Sequence, residues 1–309
     1  MLRSTCRIAL SAGLLAFLYS RVRAGPWPFA WDEIRTGPLL AGVGLGLGGL
    51  AVQWLKWHRL LAAVRPGSRR WESLASLFGG FSLGAVSPGR LGELGRAVFL
   101  RDRRVAASAG AVADRLSSFA VTVSLGLLGL WVSSPALAAQ VSLVLTAAAA
   151  GAWVLATRSR LPGWAWLAPL AARWTEGRAV LARLPASRWA EIAAWSMLFN
   201  AVFAVQFYVC ATALGHVPLA VLPVIPAIFA AKALVPLGFM DLGVREGAAV
   251  FFFGRLGVSP AIGLGAALLV FGVNVLAPAV LGLAAILGLR PTASGPESGG
   301  PDAGGRARD

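Results

Sequence analysis

Ser82-Leu-Gly-Ala-Val-Ser-Pro-Gly-Arg-Leu-Gly-Glu-Leu-Gly-Arg96 is a charged interruption between two apolar runs of the chain. Proline lacks a backbone donor and clashes with the preceding turn, so Pro88 ends any helix that arrives from Leu74. Ser87 is then expected to cap a new helix, with Pro88 at its first position. In lipid, broken backbone is tolerated only where protein buries it or where it lines a watery cavity. We therefore predict that this stretch is the tip of a re-entrant hairpin and the floor of a polar site.

The composition of the whole chain is that of an integral membrane protein. Of its 309 residues, 57% are hydrophobic and 13% charged, and the mean hydropathy is +0.72. Apolar residues come in long blocks, as they do in membrane-spanning helices. The net charge of +15 fits positive loops beside anionic headgroups. We therefore expect membrane lipids as partners, and no nucleic acid, because basic and aromatic residues do not interleave.

Residues that carry chemistry in enzymes form no recognisable set in this sequence. The two cysteines and two histidines lack metal-ligand spacing, and neither a nucleophile with its base nor a phosphate-binding glycine loop stands out. We therefore expect a protein that is not an enzyme, with no metal and no cofactor.

Basic loops are taken as cytoplasmic, which predicts six full spans. These are Ile8–Ser20, Pro38–Trp57, Val105–Val132, Ala136–Ala156, Trp189–Leu214 and Pro260–Leu287. The first is short and also has the form of a signal peptide, but the repeat described below needs it retained. The clearest cytoplasmic signal is the basic run that begins at Lys56. Thr157–Arg188, which carries six arginines, is predicted to be a cytoplasmic loop with a surface-lying helix.

The segment around Pro88 does not fit a simple alternation of spans. If Trp71–Ser87 crossed the membrane completely, the three arginines within 101–104 would lie outside, against the positive-inside rule. A hairpin that enters, turns at Pro88 and returns by Leu100 keeps these arginines inside. Each half is also too short for a comfortable span, as expected for a re-entrant pair.

A second broken segment, Leu219–Leu256, is interrupted from Pro236 onward and must enter and leave from the outer side, because Arg290 should end inside. The chain then consists of two copies of opposite topology, about residues 1–133 and 134–289. Paired interrupted segments of this kind indicate a transporter site near the membrane midplane. The predicted fold is an all-α polytopic bundle of the cell (inner or plasma) membrane, with six full spans and two opposed re-entrant hairpins forming an inverted repeat. Both termini are cytoplasmic, and residues 290–309 form a disordered tail.

Charged residues at the two breaks are the candidate substrate-binding residues. They are Arg90, Glu93, Arg96, Arg245 and Glu246. The first three are spaced by three residues, so successive members are neighbours on one helical face. The N–H groups of a helix start favour an anion near Arg90, and a phosphate or phosphodiester fits an arginine fork. The alternative at each break is a closed set of ion pairs that only holds the hairpin.

Further polar residues are expected to support these sites. They are Ser87, Asp114, Arg115, Lys232, Asp241, Asn200 and Asn274. Adjacent helical residues point about 100° apart, so we expect Arg115 to bond to Glu93 and Asp114 to Arg96.

At the second break, Asp241 precedes Arg245 by four residues in a favourable acid-first order, and Glu246 adjoins Arg245 on another face. Lys232 is able to reach either acid.

The remaining polar features of the spans are expected to be structural. Asn200 and Asn274 are predicted to form interhelical hydrogen bonds rather than to bind a ligand. The glycines of 42–49 predict close packing between helices.

Three motifs in this order resemble one known family. Pro88-Gly-Arg-Leu-Gly-Glu-Leu-Gly-Arg96, Asp114-Arg115-Leu116 and Leu242-Gly-Val-Arg-Glu-Gly247 together resemble the lysylphosphatidylglycerol synthase transmembrane region, or flippase-like, family. The resemblance extends from Ile8 to Leu287 and departs at Asp114-Arg115, where family members often carry Glu-Arg. It implies lipid translocation between leaflets and a flippase-like transmembrane domain over residues 1–289. Without a soluble transferase domain, synthesis of lysyl-lipid by this chain is not expected.

The leading hypothesis is a transporter that moves an anionic phospholipid or a polyprenyl-phosphate-linked lipid between leaflets. The alternative is a non-transporting membrane partner that recruits a glycosyltransferase or a lipid-modifying synthase through its basic loop. A third hypothesis, an integral-membrane transferase, is the weakest because the sequence offers no nucleophile or metal site.

Overall fold

The computed structural model describes residues 34–158, 168–235 and 242–288, and within these ranges the chain forms helices and no strand. The helices are α1 (Thr36–Val64), α2 (Arg70–Val86), α3 (Arg104–Ser133), α4 (Pro135–Arg158), α5 (Ala168–Ala182), α6 (Ala186–Leu214), α7 (Ile225–Leu234), α8 (Val244–Arg255), α9 (Pro260–Phe271) and α10 (Ala277–Gly288). Pro88–Phe99 and Leu219–Val224 are 3-10 helices, and a π-helical turn, Gly272–Leu276, joins α9 to α10. The predicted all-α class is confirmed.

Within the described residues, four stretches are long and apolar enough to cross a membrane, as judged by length and composition. They are α1, α3, α6 and Pro260–Ala284, and each contains or overlaps a predicted span. The predicted span Ile8–Ser20 and the tail 290–309 lie outside the described residues. The predicted span Ala136–Ala156 falls in α4, whose described apolar part, Pro135–Ala150, is shorter than a span requires.

Helix α1 continues to Val64 instead of ending at Trp57. Trp57, Leu60, Leu61 and Val64 lie at helical spacing, and all four are buried in one apolar cluster with residues of α2 and α3. The helix is extended because this stripe buries apolar surface on the hairpin that follows. Lys56 therefore lies inside the bundle, and its assignment to a cytoplasmic basic run was wrong.

Helices α1 and α6 pack closely along a line of glycines. A Cβ atom at Gly42 would lie 2.6 Å from the Sγ atom of Cys210, and one at Gly46 would lie 2.6 Å from Nε2 of Gln206. A side chain at either glycine would therefore push the two helices apart. The predicted role in helix packing is confirmed for Gly42 and Gly46, whereas Gly44 and Gly48 have nothing within 4 Å of an added Cβ.

Residues 70–99, which we name the first hairpin, consist of α2 and the 3-10 helix Pro88–Phe99 folded back antiparallel. The Ser76 hydroxyl donates to the carbonyl oxygen of Arg96 at 3.1 Å, and a Cβ at Gly92 would overlap the carbonyl of Leu83. The returning helix is 3-10 rather than the predicted α-helix, and Arg90 near its start has a left-handed φ of 55°. An α-helical ladder cannot begin through that conformation.

Ser87 has a different partner from the one expected of an N-cap. Its Oγ accepts from the backbone N–H of Gly92 at 2.6 Å, two residues beyond the third helical position. Ser87 therefore joins the turn to the middle of the 3-10 helix, and the predicted standard cap was wrong.

An ion cluster closes the open end of the first hairpin, opposite the Pro88 turn. Arg65 donates to Glu72 at 2.6 Å and to Asp102 at 2.7 Å. These hydrogen bonds hold the pKa of both carboxyl groups below their ordinary values. The end of α1, the start of α2 and the loop before α3 are thereby linked outside the candidate spans.

The second broken segment, which we name the second hairpin, contains the 3-10 helix Leu219–Val224, α7 and α8. Helix α7 packs on α3, and α2 of the first hairpin packs on α10. A Cβ at Gly129 of α3 would overlap the carbonyl of Pro223 in the second hairpin, and one at Gly282 of α10 would overlap that of Phe78 in the first. The Ser82 hydroxyl also donates to the carbonyl oxygen of Ala279 at 3.1 Å. The described residues before and after residue 134 are therefore interlocked by two similar contacts.

Replacing Gly129 or Gly282 by leucine should destabilise the protein to a similar extent, because each side chain would collide with backbone. Overpacking of this kind costs about 1–3 kcal/mol, and more where backbone must move. Gly48→Leu is the matched control, since nothing lies within 4 Å of the added Cβ. Thermal unfolding in detergent measures the three variants, and equal melting temperatures for all would contradict the interlocked packing.

Candidate functional site

Asp114, on α3, is held between two basic side chains. Its Oδ2 accepts from Arg96 of the first hairpin at 2.5 Å, and its Oδ1 lies 2.8 Å from Nζ of Lys56 on α1. The predicted pairing of Asp114 with Arg96 is confirmed. The Arg96 guanidinium carbon also lies 3.8 Å from the centre of the Trp57 ring, a cation–π contact. Helix α1, the first hairpin and α3 thus meet at one carboxylate.

Glu93 is the second carboxylate of this site. It forms an ion pair with Arg90, and its Oε2 accepts from Arg115 at 2.9 Å. The predicted bond between Arg115 and Glu93 is therefore confirmed. Arg90 pairs with Glu93 as their spacing indicated, whereas Arg96 points to Asp114 instead. We name Lys56, Arg90, Glu93, Arg96, Asp114 and Arg115 the first charged cluster.

Hydroxyl groups extend the first charged cluster toward α6. Lys56 donates to Ser118 at 2.7 Å and to Ser117 at 3.2 Å, and the hydroxyls of Ser117 and Ser196 lie 3.3 Å apart. Ser196 is fully buried on α6. The cluster therefore touches α1, α3 and α6 as well as the first hairpin.

Three buried donors of the first charged cluster and of the neighbouring Trp57 have no acceptor in the described part of the chain. They are Nε of Arg90, Nε of Arg96 and Nε1 of Trp57. Buried donors are nearly always hydrogen-bonded in native proteins, so each of these three calls for a partner. An anion with several oxygen atoms is the kind of ligand that would supply such acceptors.

Within the described residues, the second break contains a buried pair of charged side chains. Arg245 and Glu246, at the start of α8, are 1% and 0% exposed and are bonded to each other. Glu246 also accepts from the backbone N–H of Gly243 at 2.7 Å, and this capping contact turns its carboxylate back toward Arg245. The expectation that Glu246 lies on a face away from Arg245 was therefore wrong. Asp241 lies outside the described residues, and Lys232 is half-buried on α7.

The two asparagines form hydrogen bonds between helices, as predicted. Asn200 on α6 accepts from Thr122 on α3 at 2.9 Å. Asn274, in the π-helical turn, exchanges two hydrogen bonds with Gln206 on α6, at 3.2 and 2.5 Å. The first pair links α6 to α3, and the second links α6 to the π-helical turn between α9 and α10.

Sequence reasoning missed three residues of the site: Lys56, Trp57 and Gln206. A signal for the first two was present, because the apolar residues from Trp57 to Val64 continue the helical spacing of α1 past the first basic residue. Gln206 had a weaker signal, a single amide within an apolar run. Its partner Asn274 is distant in sequence, so no sequence pattern indicated that the two residues pair.

The family model described as "Lysylphosphatidylglycerol synthase TM region" matches residues 5–282. The chain therefore belongs to this family, and it is a helical membrane protein. No curated protein and no solved structure matches the chain at a significant level.

Proposed function

We propose that the protein moves a lipid with an anionic headgroup between the two leaflets of the membrane, and that the first charged cluster binds the headgroup. An anionic phospholipid and a polyprenyl-phosphate-linked lipid both have the required chemistry. The headgroup would travel along the polar path while its acyl or prenyl chains stay in lipid.

The charge balance of the first charged cluster is the observation that carries this proposal. Within the described residues, four basic side chains meet two carboxylates, an excess of two positive charges over Glu93 and Asp114. An excess remains even without Arg115, whose side chain is 41% exposed. Uncompensated charge away from water is costly, and a phosphate would offset it.

The donor geometry supports phosphate in particular. A guanidinium presents a planar fork of N–H groups that matches phosphate oxygens. Arg96 donates to Asp114, and Arg90 forms an ion pair with Glu93. In the described part of the chain, the Nε atom of each arginine has no acceptor. Both arginines therefore retain donors for a headgroup.

The interlocked packing supports the inverted repeat, in which α1 corresponds to α6, α3 to α9–α10, and the first hairpin to the second. Under this proposal the hairpins are re-entrant from opposite sides, and the two further spans are the predicted Ile8–Ser20 and α4. The protein would lie in the cell membrane with both termini cytoplasmic. Rocking of one repeat against the other would then expose the site alternately.

A role for Arg245 and Glu246 in substrate binding stays a prediction. Among the described residues, this pair is balanced in charge, whereas the first charged cluster has a positive excess. The difference favours the first break as the place where the headgroup is bound.

The test is movement of fluorescent lipids in vesicles that contain the purified protein. NBD-labelled phosphatidylglycerol and phosphatidic acid should become accessible to external dithionite faster than NBD-phosphatidylcholine, because only the first two present a net negative headgroup. Protein-free vesicles are the control. Equal rates for the three probes, or rates no faster than in protein-free vesicles, would contradict the proposal.

A further inference from the structure

We infer that Lys56 is a positioning residue that neutralises Asp114 and thereby keeps the charge of Arg96 available for the headgroup. This inference rests on the proposed function of the first charged cluster. Lys56 would contact no part of the lipid; it would act through Asp114.

The contacts of Lys56 are those of a fixed counter-charge. Its side chain is 2% exposed, and its ammonium group contacts Asp114 Oδ1, the carbonyl oxygen of Asp114 and the hydroxyls of Ser117 and Ser118. An ammonium group has three N–H donors, and these acceptors are enough to use all of them. Lys56 therefore has no donor left for a ligand, in contrast to Arg96.

The carboxylate of Asp114 is divided between two cations. Oδ1 faces Lys56, and Oδ2 faces Arg96, whose flat face is covered by Trp57. If Lys56 were absent, Arg96 and Asp114 would form a neutral pair, and the attraction of Arg96 for a phosphate would be largely cancelled. With Lys56 present, the three groups together carry one positive charge beside the buried Nε of Arg96.

The contacts of Asp114 with Lys56 and Arg96 also explain why a carboxylate lies in a site that should favour anions. Arg96 needs a partner that fixes its orientation, and Asp114 provides one through a bond between charged groups. A carboxylate alone would repel the headgroup. Lys56 removes that repulsion while leaving the orienting hydrogen bond in place.

The experiment compares headgroup affinity in Lys56→Met with that in the double variant Lys56→Met/Asp114→Asn. Purified protein in a neutral detergent is titrated with dihexanoylphosphatidic acid by calorimetry, with dihexanoylphosphatidylcholine as the uncharged-headgroup control. Lys56→Met should raise the Kd about tenfold, the size expected for losing one charged interaction near the ligand. The double variant should return the Kd toward the wild-type value, because the asparagine amide oxygen still accepts from Arg96 but carries no charge.

Arg59→Met is the matched control, because it removes a positive charge from α1 one turn away, at an exposed side chain that faces Glu191. Its Kd should equal that of the wild type. Melting temperatures of all variants are measured in parallel, since a purely structural role of Lys56 would lower stability in both Lys56 variants without any recovery of affinity.

The outcomes separate the two proposals. If the wild type binds phosphatidic acid and Lys56→Met binds it equally well, or if the double variant shows no recovery, the role of Lys56 is wrong and the proposed function stands. If the wild type does not bind phosphatidic acid, the proposed function itself is wrong.

Discussion

Arg90→Ala is expected to slow the movement of anionic lipids by about 10–100-fold, while leaving the protein folded. The loss of one hydrogen bond to a charged group costs about 1.5–3 kcal/mol, which corresponds to that range in rate or affinity. Among the described residues, Arg90 forms an ion pair only with Glu93. In the Arg90→Ala variant, Glu93 would still accept its hydrogen bond from Arg115. The fold should therefore tolerate the loss of Arg90 better than that of Arg96, which is buried between Trp57 and Asp114.

The measurement is the dithionite assay in vesicles, combined with the melting temperature in detergent. Arg101→Ala is the control, because this arginine is exposed beyond the end of the first hairpin. Glu93→Gln should give a smaller and more variable effect, since Glu93 supports the arginines and is not expected to contact the headgroup. Full transport by a well-folded Arg90→Ala variant would exclude Arg90 from the binding site.

Arg245→Met is expected to lower the free energy of unfolding by about 3–5 kcal/mol, the usual cost of removing one partner of a buried ion pair. The remaining carboxylate of Glu246 would be completely buried without its guanidinium. The double variant Arg245→Met/Glu246→Gln should recover most of this stability, because glutamine is neutral and its amide oxygen can still accept from the N–H of Gly243.

Chemical unfolding in detergent measures the stability of these variants. If Arg245→Met were as stable as the wild type, the expected cost of burying the unpaired carboxylate of Glu246 would be wrong. The double variant also tests the second break in transport: if it folds and moves lipid at the wild-type rate, Arg245 and Glu246 have no substrate role. If it folds and is inactive, the site extends from the first charged cluster to α8.

The sequence was sufficient to predict the features that depend on local chemistry and on topology. Pro88 and Gly89 fixed the turn of the first hairpin, and the charge rule predicted that the chain returns there. The pairs Asp114–Arg96 and Arg115–Glu93 followed from helical geometry, because two adjacent residues of α3 face different parts of a neighbouring element.

Features that depend on packing were not predictable in the same way. Lys56 was counted with the basic residues that end the span Pro38–Trp57, because charge alone was considered. The apolar stripe beyond it and the distant Asp114 keep it buried. The 3-10 form of the returning helix depends on the left-handed Arg90 and on close contact at Gly92, neither of which has a pattern in sequence. The bond between Arg245 and Glu246 likewise depends on the capping turn at Gly243.

The contact between α10 and the first hairpin sets an order for biogenesis. Phe78 and Ser82 receive their partners, Gly282 and Ala279, only when about 200 further residues have left the ribosome, since Ser82 and Ala279 are 197 residues apart. Long-range contacts of this kind form late, because the intervening chain must be closed first. The first hairpin is therefore synthesised before the helix on which it packs, and a chain released before α10 lacks that contact.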